Sequence, residues 1–78
     1  MKIKYELSFE CDDWLREKID AEWSYALDEV EETTTEEEIF EIALAYTLED
    51  NYCVSYNERE AILAQSDKIY EWWKENAG

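Results

Sequence analysis

Ile3, Tyr5, Leu7, Phe9 and Cys11 alternate with Lys2, Lys4, Glu6, Ser8 and Glu10 at the start of the chain. A period of two belongs to a strand with one buried face, which predicts a β-strand over 3–11. From Asp12 the period lengthens. Leu15, Ile19, Trp23, Ala26, Leu27 and Val30 share one arc of about 120° on a helical wheel, the width of a core-facing stripe, and predict a first helix over 12–32. Thr33, Thr34 and Thr35 each have a Glu three residues later, so any of them can close a capping box and start a second helix near Glu36. Ile39, Phe40, Ile42, Ala43, Leu44, Ala45, Tyr46 and Leu48 make that helix apolar on most of its wheel, which places it at the centre of the domain.

Asp50 and Asn51 are stop residues. Tyr52, Val54 and Tyr56 then alternate, predicting a short strand over 52–56 that pairs with the first, because a lone strand leaves its backbone groups unpaired. Ser55 with Glu58 and Asn57 with Glu60 both signal the start of a last helix running to about Asn76. That helix is expected to bury Ile62, Ile69 and Trp73, with Leu63, Tyr70 and Trp72 at its flanks. The chain holds no proline and no glycine before Gly78, which argues against long irregular loops. The predicted fold is α+β, in one domain over 1–78: an N-terminal β-strand, two helices, a short second strand and a C-terminal helix, the three helices packed with a small two-stranded sheet.

Composition supports a folded chain, since 46% of its 78 residues are hydrophobic and 15% aromatic, unlike a disordered acidic segment. Charge changes the picture more. Twenty-two acids against seven bases give a net charge of −15, where solubility asks for a magnitude of only roughly 2 to 8. Two carboxylates about 5.5 Å apart repel by roughly 0.7 kcal/mol even in water. Such a surplus calls for a basic partner and opposes direct binding to nucleic acid or to an anionic membrane. With two cysteines and no histidine, a closed zinc site lacks ligands. Cys11 and Cys53 read as buried thiols of a cytosolic protein, a disulfide between them being the minority reading. The N-terminal alternation is not the apolar run of a signal peptide, and no stretch reaches the ~20 apolar residues of a membrane span, so a cytoplasmic location is expected.

The acids are grouped. Between Lys18 and Arg59, forty positions hold thirteen acids and no base. On a first helix extending to residue 32, Asp13, Glu17, Asp20, Asp28 and Glu31 fall in an outward arc of about 80°, one charge per ~5.4 Å, against one per ~3.4 Å along a DNA strand. The last helix repeats the device more weakly with Glu60, Asp67, Glu71 and Glu75. The densest stretch is DEVEETTTEEEIFE, Asp28 to Glu41, with eight carboxylates in fourteen residues. Capping needs one glutamate of it. With the helical acids before it, the stretch nominates a surface of Asp13, Glu17, Asp20, Asp28, Glu29, Glu31, Glu32, Glu36, Glu37, Glu38 and Glu41 as the partner-binding site. A calcium loop of the EF-hand kind would need a central glycine and ligands at fixed spacing, and the chain has neither. No histidine and no nucleophile motif points to catalysis, so no enzyme activity and no cofactor are expected.

In length, charge and helical carboxylate stripes, and in the uncompensated DEVEETTTEEEIFE turn, the chain resembles the small acidic DNA-mimic inhibitors. These include uracil-DNA glycosylase inhibitor and the anti-restriction and anti-CRISPR proteins of phages and mobile elements. The resemblance implies a non-enzymatic inhibitor whose carboxylates occupy phosphate positions in the basic groove of a nuclease or CRISPR effector. The alternative is an antitoxin or immunity-type protein that seals a cationic toxin with an acidic and aromatic patch, for which Trp14 and Tyr25, with Ala21 on the same helical face, and Trp72 are candidate anchors.

Overall fold

The computed structural model describes residues 2–3, 9–52 and 54–76. Four helices carry the core: α1 (Asp13–Leu27), α2 (Glu36–Asn51), α3 (Tyr56–Leu63) and α4 (Ser66–Asn76). Ahead of them, β1 (Lys2–Ile3) and β2 (Phe9–Glu10) pair antiparallel, Lys2 opposite Glu10 and Ile3 opposite Phe9. Two residues each is short of the roughly 3–10 of a strand in a globular protein, so this ladder is a local contact and the fold class is helical. The α+β expectation is therefore overturned. Tyr5 and Leu7 of the predicted first strand lie outside the described residues, as does Cys53.

The predicted second strand fails for a reason visible in its neighbours. Tyr52 is the C-cap of α2 in a right-handed helical conformation, and the Ser55 side chain accepts a hydrogen bond from the Glu58 backbone N–H to cap α3. Only three residues separate cap from first helical residue at this junction, too few for a strand. The alternation of Tyr52, Val54 and Tyr56 is divided among a cap, a connector packed on the core and the first residue of a helix, where Tyr56 is left exposed.

α1 ends at Leu27, five residues before the predicted boundary at 32, with Asp28 as C-cap. Continuing it would bring Asp28 against Glu31 and Glu32 as like-charged neighbours and stack acids at the negative end of the helix dipole, both unfavourable. Leu27 and Val30 accordingly leave the predicted core stripe, Leu27 being exposed and Val30 half-buried. The predicted last helix is two, broken at Ala64 and Gln65. The break lets both pieces pack on α2. Ile62 and Ile69 are buried on either side of it, as predicted, whereas Trp72 is buried and Trp73 half-buried, the reverse of the expected order.

The core lies mainly between α1 and α2: Leu15, Ile19 and Ala26 face Phe40, Ala43, Leu44 and Leu48, all fully buried. Thr47 is buried among them, and its hydroxyl is satisfied by donating to the Ala43 carbonyl at 2.9 Å. Cys11 closes one end of the core, where burial pushes its thiol pKa up to about 11. The charge does not expand the chain, because the Cα radius of gyration of 11.9 Å is close to the about 11.5 Å expected for this length.

Of the three threonines, the structure selects one. Thr35 Oγ1 accepts from the Glu38 N–H at 3.2 Å and the Glu38 carboxylate accepts from the Thr35 N–H, a complete capping box. Thr34 Oγ1 instead accepts from the Glu31 N–H, and the Thr34 N–H donates to the Glu31 carbonyl, closing the preceding turn. Thr35→Ala is expected to lower stability in urea denaturation by about 1 kcal/mol, and Thr33→Ala to stay within about 0.5 kcal/mol of the parent.

Candidate functional site: an acidic face and its aromatic cleft

Residues 28–35 form an ordered connection between α1 and α2, held by Glu29 N–H to Ala26 carbonyl (3.1 Å), the Glu31–Thr34 turn and the capping box. The DEVEETTTEEEIFE stretch is thus neither a linker nor an extension of α1. Asp28, Glu29, Glu31 and Glu32 sit in the turns, and Glu36, Glu37, Glu38 and Glu41 open α2. Asp13, Glu17 and Asp20 remain on α1, but the stripe predicted to run on through Asp28 and Glu31 is cut at Leu27. Three helical acids over about 10 Å replace five over about 27 Å. All eleven predicted partner-binding acids are exposed.

Two of the eleven also tie the fold together. Asp20 Oδ1 accepts from the Trp73 indole N–H at 3.1 Å, joining α1 to α4, and Glu36 Oε1 accepts from the Tyr70 hydroxyl at 2.7 Å, joining α2 to α4. Glu38 is engaged in the capping box. Among the described residues the one ion pair is Arg59 with Glu49, at 3.8 Å, outside the predicted site. Four cations, Arg59 among them, lie over aromatic rings. Arg16 lies 4.9 Å from the Trp72 ring centre, Lys18 5.5 Å from Trp14, Arg59 5.6 Å from Tyr56 and Lys74 5.1 Å from Tyr70. The eleven acids of the predicted site have no ion pair among the described residues. Among the described residues no three of them converge to hold a metal ion.

Two shallow clefts flank α2. One, of about 310 Å³, is lined by Glu22, Tyr25, Asp28, Glu29 and Tyr46. The other, of about 350 Å³, is lined by Glu38, Glu41, Ile42, Ala45 and Leu63. The first brings together acids from α1 and the turn with one tyrosine from each of α1 and α2. Glu22 and Tyr46 were not among the predicted site residues. Tyr46 lay within an apolar run that reads as core, although a hydroxyl in such a run signals one edge near solvent. A hydrogen bond to Glu29, then burial, then the charges of Glu29, Glu49 and Glu22 push the Tyr46 pKa above its ordinary value. Of the candidate aromatic anchors, Tyr25 is 64% and Trp14 44% exposed, whereas Trp72 is in the core. Trp14 also packs edge-on against Tyr52, with ring centres 4.9 Å apart.

Comparison with known proteins returns no match: no family description fits the chain, no curated protein is similar to it and no solved structure resembles it significantly. Among the described residues no helix is long and apolar enough to cross a membrane.

The Tyr70 hydroxyl is pushed up to about 12, first by its hydrogen bond to Glu36 and then by burial and the charges of Glu36 and Glu37. A hydroxyl whose folded pKa exceeds its unfolded value near 10 contributes stability that is present below about pH 10 and lost as pH rises toward 12. Stability measured from pH 10 to pH 12 is expected to fall more steeply for the parent protein than for Tyr70→Phe; parallel curves would show that the Glu36 contact does not hold in solution.

Proposed function

We propose that this protein is a non-enzymatic inhibitor that presents carboxylates in place of nucleic-acid phosphates to the basic groove of a nucleic-acid-binding protein, a nuclease or CRISPR effector, in the bacterial cytoplasm. The observation that carries the reading is the separation of charges described above. Acids outnumber bases threefold, four of the seven cations lie over aromatic rings, and eleven of the twelve acids from Asp13 to Glu41 stay exposed on an ordered surface. A chain that needed charge only for solubility would gain by pairing acids with its own bases at helical spacing. Concentrated charge of one sign raises the association rate with an oppositely charged groove, and each carboxylate can accept charge-assisted hydrogen bonds from Arg or Lys.

The second reading, an immunity-type protein that neutralises a cationic toxin, is favoured by one observation, the exposed Tyr25 beside Asp28 and Glu29. The two differ in how affinity is distributed. A phosphate mimic spreads it over many charges, whereas an anchored interface concentrates it in one or two side chains.

The test is to capture basic proteins from a bacterial lysate on the immobilised chain and challenge the complexes with duplex DNA and with salt. The mimic reading expects DNA to displace the captured protein and affinity to fall steeply with salt. Single reversals Glu31→Lys, Glu32→Lys and Glu37→Lys should each weaken binding by roughly 1.5- to 5-fold. A complex that resists both DNA and salt, and that collapses on Tyr25→Ala alone, would overturn it in favour of the immunity-type reading.

A further inference from the structure

Three exposed aromatic residues begin or line helices, and two of them are covered by the chain's own cations at helical spacing. Trp14, 44% exposed, has Lys18 four residues on, 5.5 Å from its ring centre, and Tyr56, 67% exposed, has Arg59 three residues on, 5.6 Å away. Half-buried Tyr70 follows the same rule with Lys74. Tyr25, 64% exposed, breaks it. Three and four residues after it stand Asp28 and Glu29, and three before it stands Glu22, with Ala21 four before it, so carboxylates occupy three of the four places from which a helical neighbour would supply the cation and none of the four holds one. These acids and Tyr46 are the remaining walls of the 310 Å³ cleft.

We infer that this cleft receives an arginine side chain of the basic partner, its guanidinium lying on the Tyr25 ring and hydrogen-bonded to the Asp28 and Glu29 carboxylates. The inference rests on the reading that the partner is a basic protein. The cleft's volume is at the bottom of the roughly 300–1,000 Å³ range of small-molecule sites, enough for one long side chain. Arginine fits better than lysine on two counts. Its planar group stacks on a tyrosine face while its edge donates two parallel hydrogen bonds to a carboxylate, and it sheds water more easily than an ammonium ion. Glu29 and Tyr46 line the same cleft, and the Glu29 carboxylate helps to raise the Tyr46 pKa. The neighbouring cleft at Glu38 and Leu63 has no aromatic wall, and Glu38 is occupied by the capping box.

The probes are tetra-arginine amide and tetra-lysine amide, titrated into the ¹⁵N-labelled full chain in about 0.15 M NaCl, where the Debye length of about 8 Å screens diffuse attraction. Tetra-arginine is expected to shift the amide signals of Glu22, Tyr25, Asp28, Glu29 and Tyr46 together and to bind about fivefold more tightly than tetra-lysine. Tyr25→Ala, which removes a largely exposed ring, should abolish that preference while leaving the amide spectrum of the core unchanged. Equal affinity for the two peptides, shifts spread over Glu31 to Glu41 with the cleft unmoved, or no binding of either overturns the inference. None of these touches the phosphate-mimic reading, which DNA displacement decides. Arginine-selective binding in the cleft by a chain whose partner DNA fails to displace would keep the inference and discard mimicry.

Discussion

Trp23, Phe40, Tyr70 and Trp73 form the contact that lets a chain of this charge close around a core. Trp23 of α1 stacks on Trp73 of α4, with ring centres 5.1 Å apart and planes within 11°, and Phe40 of α2 tilts against Trp73 at 5.4 Å and Tyr70 at 5.3 Å. Three helices meet there without an ion pair. Aromatic pairs contribute about 0.5–1.5 kcal/mol each beyond their buried area, which is more than exposed ion pairs usually give. Asp20 and Glu36 complete the arrangement by accepting hydrogen bonds from the indole and phenol edges of the same group. Two carboxylates are thereby held on the outer rim of an apolar cluster.

Because rings hold the helices together, the charges are released from that task. Arg16, Lys18, Arg59 and Lys74 lie over aromatic faces, and eleven of the twelve acids from Asp13 to Glu41 are exposed to solvent, Asp20, Glu36 and Glu38 while also accepting hydrogen bonds within the fold. Repulsion within that group then shapes the backbone. α1 stops where its next turn would stack Asp28 on Glu31 and Glu32, and α2 begins where three glutamates meet the positive end of a helix dipole. The turn that carries the densest charge is a consequence of that charge.

The period of the apolar residues made α1 and α2, with their buried faces, readable before any coordinates. Leu15, Ile19, Phe40 and Leu44 are where the wheel puts them. Boundaries were less readable, since the wheel carries no term for repulsion among acids, and Leu27 and Val30 fit the apolar arc although the first ends α1 and the second lies beyond it. At 52–56 an alternation over three residues was too short to distinguish a strand from two helix caps meeting at a connector. The break at Ala64 and Gln65 had no proline or glycine to announce it. It follows from both α3 and α4 packing on α2. Among the candidate site residues, the exposed acids were legible one by one. The cleft was not, because Tyr25 and Tyr46 stand 21 residues apart and only packing of α1 on α2 brings them together.

The folded chain holds the carboxylates from Asp13 to Glu41 without an ion pair among the described residues, as an external basic partner would require under the proposed function. Stability against urea at pH 7, measured as ionic strength rises from about 0.01 M to about 0.15 M, tests it most directly, because the Debye length shrinks from about 30 Å to about 8 Å over that range. Relief of like-charge repulsion should make the protein more stable at the higher salt. Stability that stays level or falls would mean that the acids are paired within the fold, and would contradict the account.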